Sequence, residues 1–122
     1  MERLDLARRY FELVVAGDGD GVASLFTEDG VIDDFAGGHH FGRSGIKAFI
    51  DAIEPGSLRM DAPQHEFEEA DRLNVYGQVL RPGEVELDDV RWVFHFKGSR
   101  VSHLCNSKVF ELISDRTLGG KG

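Results

Sequence analysis

The chain has 122 residues, 41% hydrophobic and 30% charged, with a formal charge of −8, which fits one domain around one core. That charge disfavours nucleic-acid and anionic-membrane partners, which depend on Lys and Arg, and leaves a neutral, mostly apolar small molecule as the expected partner. A single cysteine, Cys105, excludes an internal disulfide, no apolar run approaches membrane-span length, and the charged first residues do not resemble a signal peptide, so a cytoplasmic protein is expected.

In chain order, residues 3–16 predict a helix. Leu6, Tyr10, Leu13 and Ala7, Phe11, Val14 recur at spacings of three and four, and Gly17 suits its C-terminal cap. Asp20 is placed to cap a short second helix burying Val22, Leu25 and Phe26. "TEDG" reads as a turn, "VIDDF" as a short strand, and "AGGHHFG" as a loop. Ser44 is the expected cap of a third helix carrying Ile46, Phe49, Ile50 and Ile53, which ends at Pro55-Gly56.

From Leu58 the pattern turns to strands, with "QHEFEEA" and "NVYGQVL" as candidates and a turn at Pro82-Gly83. The clearest strand alternates Val90, Trp92, Phe94 and Phe96 with Arg91, Val93 and His95, and Gly98-Ser99 suits a hairpin turn. A simple two-residue turn pairs Phe94 with His103 and puts His103, Cys105 and Ser107 on the Trp92 side. A single bulge sends Leu104 and Asn106 there instead. The expected architecture is α+β. Three N-terminal helices pack on a curved, mainly antiparallel sheet that curls into a cone-shaped barrel, over residues 1–115, with 116–122 as a disordered tail. The mouth of such a cone is a natural small-molecule pocket.

"AGDGDGVASLFTEDGVIDD", "GRSGIKAFI" and "RWVFHFKGSRVSHL" together resemble the nuclear transport factor two-like (NTF2-like, cystatin-like) superfamily. Ketosteroid isomerase and the SnoaL-like polyketide cyclases are the nearest parallels. The resemblance implies isomerase, cyclase or lyase chemistry without cofactor or metal. It selects Asp34 from the Asp33-Asp34 pair as general base, because strand alternation alone cannot choose between the two. It also makes Tyr10 the donor to a developing enolate. Burial in an apolar cone is expected to raise the Asp34 pKa and strengthen the base.

The pattern departs from ketosteroid isomerase at one point. The protonated acid that completes that enzyme's oxyanion hole, a standard case of pKa tuning, is replaced by Trp92, whose indole N–H is a donor of different strength and geometry. Trp92, Phe94, His103, Asn106 and His40 are the expected substrate contacts. His65 is similar in position to a histidine of dehydratase-like relatives. His39 and His40 lack the spacing of a metal site, and Arg43 is the expected partner of one aspartate. Relatives often dimerise through the outer sheet face, so a homodimer through the Arg91, Val93, His95 strip is expected. A non-catalytic ligand-binding or dimerisation module of the same fold is the competing expectation.

Overall fold

The structure, a computed structural model, describes residues 2–54 and 58–109, with 61–68 described in backbone only. Helix α1 (Arg3–Val15) buries Leu6, Ala7, Tyr10, Leu13 and Val14 on one face, the face its spacing predicts. Its end is a Schellman closure. Gly17 takes φ 71°, its N–H bonds to Val14 O, and Asp18 N–H bonds to Leu13 O at 2.9 Å. The cap of α2 (Gly19–Ser24) is Asp18, not Asp20: its carboxylate accepts the Gly21 N–H at 2.9 Å. The tight closure of α1 brings Asp18 to that position two residues early.

"TEDG" is not a turn between elements. It lies inside β1 (Phe26–Asp33), where the pairing slips between Phe26 and Val31. Glu28 and Asp29 bow into solvent at that irregularity, and the strand resumes at Val31. The stretch read as a loop contains β2 (His39–Phe41), a short edge strand pairing Ile32 with His40 and Asp33 with His39. Three residues are too few for an alternating pattern to show. Helix α3 (Gly42–Asp51) follows directly with Phe41 at its cap position and no side-chain cap, so Ser44 lies inside the helix. The expected stop at Pro55-Gly56 and the tail 116–122 lie outside the described residues.

Strands β3 (Arg59–Glu69), β4 (Arg72–Leu80), β5 (Asp88–Lys97) and β6 (Arg100–Lys108) complete one sheet of order β2-β1-β6-β5-β4-β3. Its pairs are antiparallel except β1 with β6, which is parallel. The sheet curls around α1, α2 and α3, an α+β half-barrel. Ile32, Leu73, Val90, Phe94 and Leu104 are fully buried on its inner face against Leu6, Tyr10, Ile46 and Ile50 of the helices.

The β5–β6 hairpin contains the bulge. His95 pairs with His103 but Phe96 pairs with Val101, so Ser102 is the extra residue. Its hydroxyl donates to His95 O at 3.2 Å. Beyond it Phe94 faces Leu104 and Trp92 faces Asn106. Leu104 and Asn106 therefore point inward, and His103 and Cys105 turn to the outer face.

Candidate active site

An open cavity of 450 Å³ lies between the helices and the inner sheet face. Its walls are largely apolar, among them Val14, Phe35, Phe49, Ile53 and Met60, and Tyr10, Asp34, Glu54, Arg81, Trp92 and Asn106 bring polar groups to it. The size suits a small ligand. The structure thus brings Asp34, Tyr10, Trp92 and Asn106 of the sequence-predicted residues to one space.

Asp34 is the first residue after β1. Its backbone closes a tight loop, with Asp34 N–H bonding to Gly38 O at 2.9 Å and Gly37 N–H to Asp34 O at 3.1 Å. Gly37 takes φ 92° to make this turn. The loop folds two donors onto the carboxylate: Oδ1 accepts the N–H of Ala36 at 2.8 Å and of Gly38 at 2.9 Å. His40 Nε2 meets Oδ2 at 2.7 Å. These bonds overturn the expectation of a raised pKa. Burial pushes the carboxyl up, but His40 and the two backbone N–H groups together outweigh it and hold the pKa below the ordinary aspartate value. Asp34 is an ionised, firmly held acceptor.

Tyr10 is 2% exposed, with its ring edge-on to Phe94 at 5.5 Å. Burial raises its pKa strongly, the nearby Asp34 charge raises it further, and a hydrogen bond with Asn106 works the other way. The phenol therefore stays protonated and serves as a donor. Asn106 lies across from Trp92 on the neighbouring strand and is 8% exposed. Trp92 is buried and edge-on to Phe11 at 4.9 Å.

Three expected contacts are corrected. Phe94 is fully buried behind Tyr10 and Phe11; α1 covers it, so it belongs to the core and not to the cavity wall. The Ser102 bulge sends His103 outward, where its Nε2 meets Asp33 Oδ2 at 2.7 Å. His40 does not line the cavity: it stands behind Asp34, with its ring stacked on Phe49 at 3.9 Å. Arg43 pairs with neither aspartate, because its Nε and Nη2 both donate to Phe26 O, at 3.1 and 2.9 Å. The side chain of His65 lies outside the described residues.

Asp33 is on the outer face, its carboxylate shared by His103 and by His39, whose Nδ1 is 2.5 Å from Oδ1. Those two imidazoles hold its pKa below the ordinary value. No group of three potential ligands suited to a metal is found among the described residues. Among the residues that sequence reasoning missed at the cavity are Phe35, Glu54, Met60, Val79 and Arg81. None of them sits in a pattern that marks a site, whereas Phe49 and Ile53 were legible as the apolar face of α3.

Comparison with known proteins now decides the lineage, because the model of the SnoaL-like domain matches residues 7–104. The chain belongs to the SnoaL-like family. Among solved structures, this SnoaL-like chain is similar to a protein of Sphaerobacter thermophilus. The two are 31% identical over 88% of this chain and 96% of that one, with a TM-score of 0.73. A proposed polyketide cyclase from Sinorhizobium meliloti shares the fold at 21% identity, over 84% and 94% of the two chains, with a TM-score of 0.74. The Orange Carotenoid Protein of Anabaena, in a structure binding canthaxanthin, shares it at 22% identity and a TM-score of 0.74. That match covers 84% of this chain and 35% of the other. No curated protein matches. No described helix of this SnoaL-like chain is long and apolar enough to cross a membrane.

Proposed function

We propose that the protein is an enzyme performing cofactor-free acid/base chemistry on a small, mostly apolar carbonyl, polyketide-like or epoxide compound, as an isomerase, cyclase or lyase. The observation that carries this reading is that an ionised carboxylate, Asp34, and a protonated phenol, Tyr10, open onto one apolar cavity. Asp34 takes a proton from carbon, or from water attacking an epoxide. The Tyr10 hydroxyl, with help from Trp92 or from Asn106 on the last strand, donates to the oxygen on which charge develops. Because the walls are largely apolar, that donor acts where electrostatic stabilisation is stronger than in bulk water. The proposed polyketide cyclase of similar fold supports the class of chemistry.

A panel of enolisable ketones, enones and epoxides tests the reading. Turnover of one member, reduced about 100-fold or more in Tyr10→Phe with the affinity largely kept, is the expected result. Binding of panel members without turnover of any favours the second reading, a non-catalytic carrier of an apolar carbonyl ligand. That reading draws on the three hydrogen bonds that already occupy Asp34 and on the canthaxanthin-binding protein of similar fold. In both readings the half-buried Arg91, Val93 and His95 strip forms a homodimer contact. Sedimentation is expected to give twice the chain mass, and a monomer at all concentrations sinks that part of the reading.

A further inference from the structure

We propose that His40 is the positioning residue of this site: it holds the Asp34 carboxylate in place, and its charge state sets how readily that carboxylate accepts a proton. The inference rests on the reading of Asp34 as base and adds a second residue to it.

Several observations converge on His40. Its ring lies flat on Phe49, 3.9 Å between centroids and 14° between planes, so its orientation is fixed. Nε2 sits 2.7 Å from Asp34 Oδ2, with the His40 and Asp34 side chains only 23% and 13% exposed. Gly38 leaves the space for this pair, because a Cβ there would collide with both Asp34 Oδ2 and His40 Nε2. The strand register adds to this. Ile32 pairs with His40 in the β1–β2 hairpin, so the backbone of the sheet fixes where the imidazole stands relative to the end of β1.

A carboxylate offers about four lone-pair sites. Three are filled in Asp34, two on Oδ1 by Ala36 and Gly38 and one on Oδ2 by His40. The remaining site, on Oδ2, is the one left for a substrate proton, and His40 bonds to that same oxygen. An ionised carboxylate only accepts, so the neutral imidazole carries its proton on Nε2, and Nδ1 is the atom that gains a proton from solution. Protonation at Nδ1 converts a neutral hydrogen bond into an ion pair. That stabilises the Asp34 charge and weakens it as a base. Neutral His40 therefore holds the site in its active form, and charged His40 turns it down.

Beyond the pair itself, Glu54 and Arg81 line the cavity onto which Asp34 opens. Asp34 is the titratable group in contact with His40. From α3, Phe49 and Gly45 face it. The Arg43 guanidinium is turned to Phe26 O, and Lys47 pairs with Asp51 and Asp20. Tyr10 is the next group, and it feels the Asp34 charge.

Carboxyl-carbon NMR titration of the ligand-free wild type, His40→Gln and His40→Ala tests the assignment without a substrate. In the wild type the Asp34 signal is expected to show its own inflection and a second one passed on through its contact with His40, as coupled groups do. His40→Gln keeps a neutral donor to Oδ2, so the low inflection stays and the second disappears. His40→Ala removes the donor, and the proton affinity of Asp34 rises by about tenfold or more. An Asp34 titration unchanged in His40→Ala, or a second inflection persisting in His40→Gln, overturns the proposal.

Exchange of the α-protons of β-tetralone in deuterium oxide gives the catalytic arm. Wild-type exchange should fall with acid as His40 gains a proton. In His40→Gln that limb should move to lower pH with KM unchanged. Identical limbs in the two proteins overturn the role of His40 while leaving Asp34 as base. If the NMR result holds but the wild type exchanges nothing, the reading of Asp34 as base falls and the assignment of His40 as its holder stands.

Discussion

Replacing Asp34 with asparagine is expected to reduce turnover by about 10²–10⁴-fold while the fold persists, the loss typical of removing a general base. The amide keeps the shape of the carboxylate, and its oxygen can still accept the Ala36 and Gly38 N–H groups that now bond to Oδ1. Its nitrogen would face His40 Nε2, and the neutral imidazole answers by moving its proton to Nδ1. What the amide lacks is a lone pair able to take a proton from carbon near neutral pH. Circular dichroism and a ligand-binding assay separate the two effects. Turnover undiminished in a folded Asp34→Asn protein would remove Asp34 from the mechanism.

The same substitution has a pH signature in stability. Hydrogen bonds to the charged form, opposed by burial, leave the pKa of folded Asp34 below its ordinary value. A group shifted in that direction contributes stability that is fully present above the ordinary carboxylate pKa and is lost as pH falls through the lower, folded value. Wild type should therefore exceed Asp34→Asn in stability near neutral pH, and the gap should close in acid below the ordinary aspartate range. Denaturant unfolding of both proteins at neutral and acid pH checks the sign. Asp33 is shifted the same way by His103 and His39, so the Asp34→Asn protein retains some acid sensitivity.

How much of this was legible in the sequence varies with the range of the interaction. Helix α1 was legible because its burial follows a period that local spacing encodes, and Gly17 because a left-handed cap selects glycine. The positions of Tyr10 and Asp34 followed from the family resemblance, which fixes where a helix face and a strand end meet. The choice between His103 and Asn106 was not legible. It turns on one extra residue at Ser102, and an alternating pattern reads equally well in either register until the bulge is known. The direction of the Asp34 shift failed for a similar reason. Desolvation is the part that composition suggests, but the opposing donors depend on a loop closing through Asp34 N–H and Gly38 O. The same loop delivers His40 to the far side of the carboxylate, where the sequence suggested a rim residue. Arg43 illustrates a third limit. A guanidinium near two aspartates in sequence takes the carbonyl of Phe26, seventeen residues away, a long-range partner that local spacing does not point to.

Phe94→Ala is expected to cost about 3–5 kcal/mol, the range for emptying a buried aromatic site. Phe94 is fully buried, paired across the sheet with Leu73 and Leu104, and edge-on to Tyr10 and Phe11 at 5.5 and 5.9 Å. Strand pairing fixes Leu73 and Leu104, so the void can close only by moving α1. Set against a typical total of about 5–15 kcal/mol, the loss should lower Tm by more than about 10 °C. The exposed Phe41, 63% accessible, provides the contrast: Phe41→Ala should stay within about 0.5 kcal/mol of wild type. Calorimetry of the two variants measures both. The core residue also bears on chemistry, since Tyr10 rests on the Phe94 ring and a shift of α1 toward the void carries its hydroxyl away from Asp34. A misplacement of about 1 Å can cost on the order of 100-fold in rate. Phe94→Ala should therefore lose activity at temperatures where it remains folded, and Phe94→Leu, which fills most of the void, should recover both stability and rate in part. Full activity in folded Phe94→Ala would mean that Tyr10 is held without the Phe94 ring, by its contacts with Phe11 and Phe26.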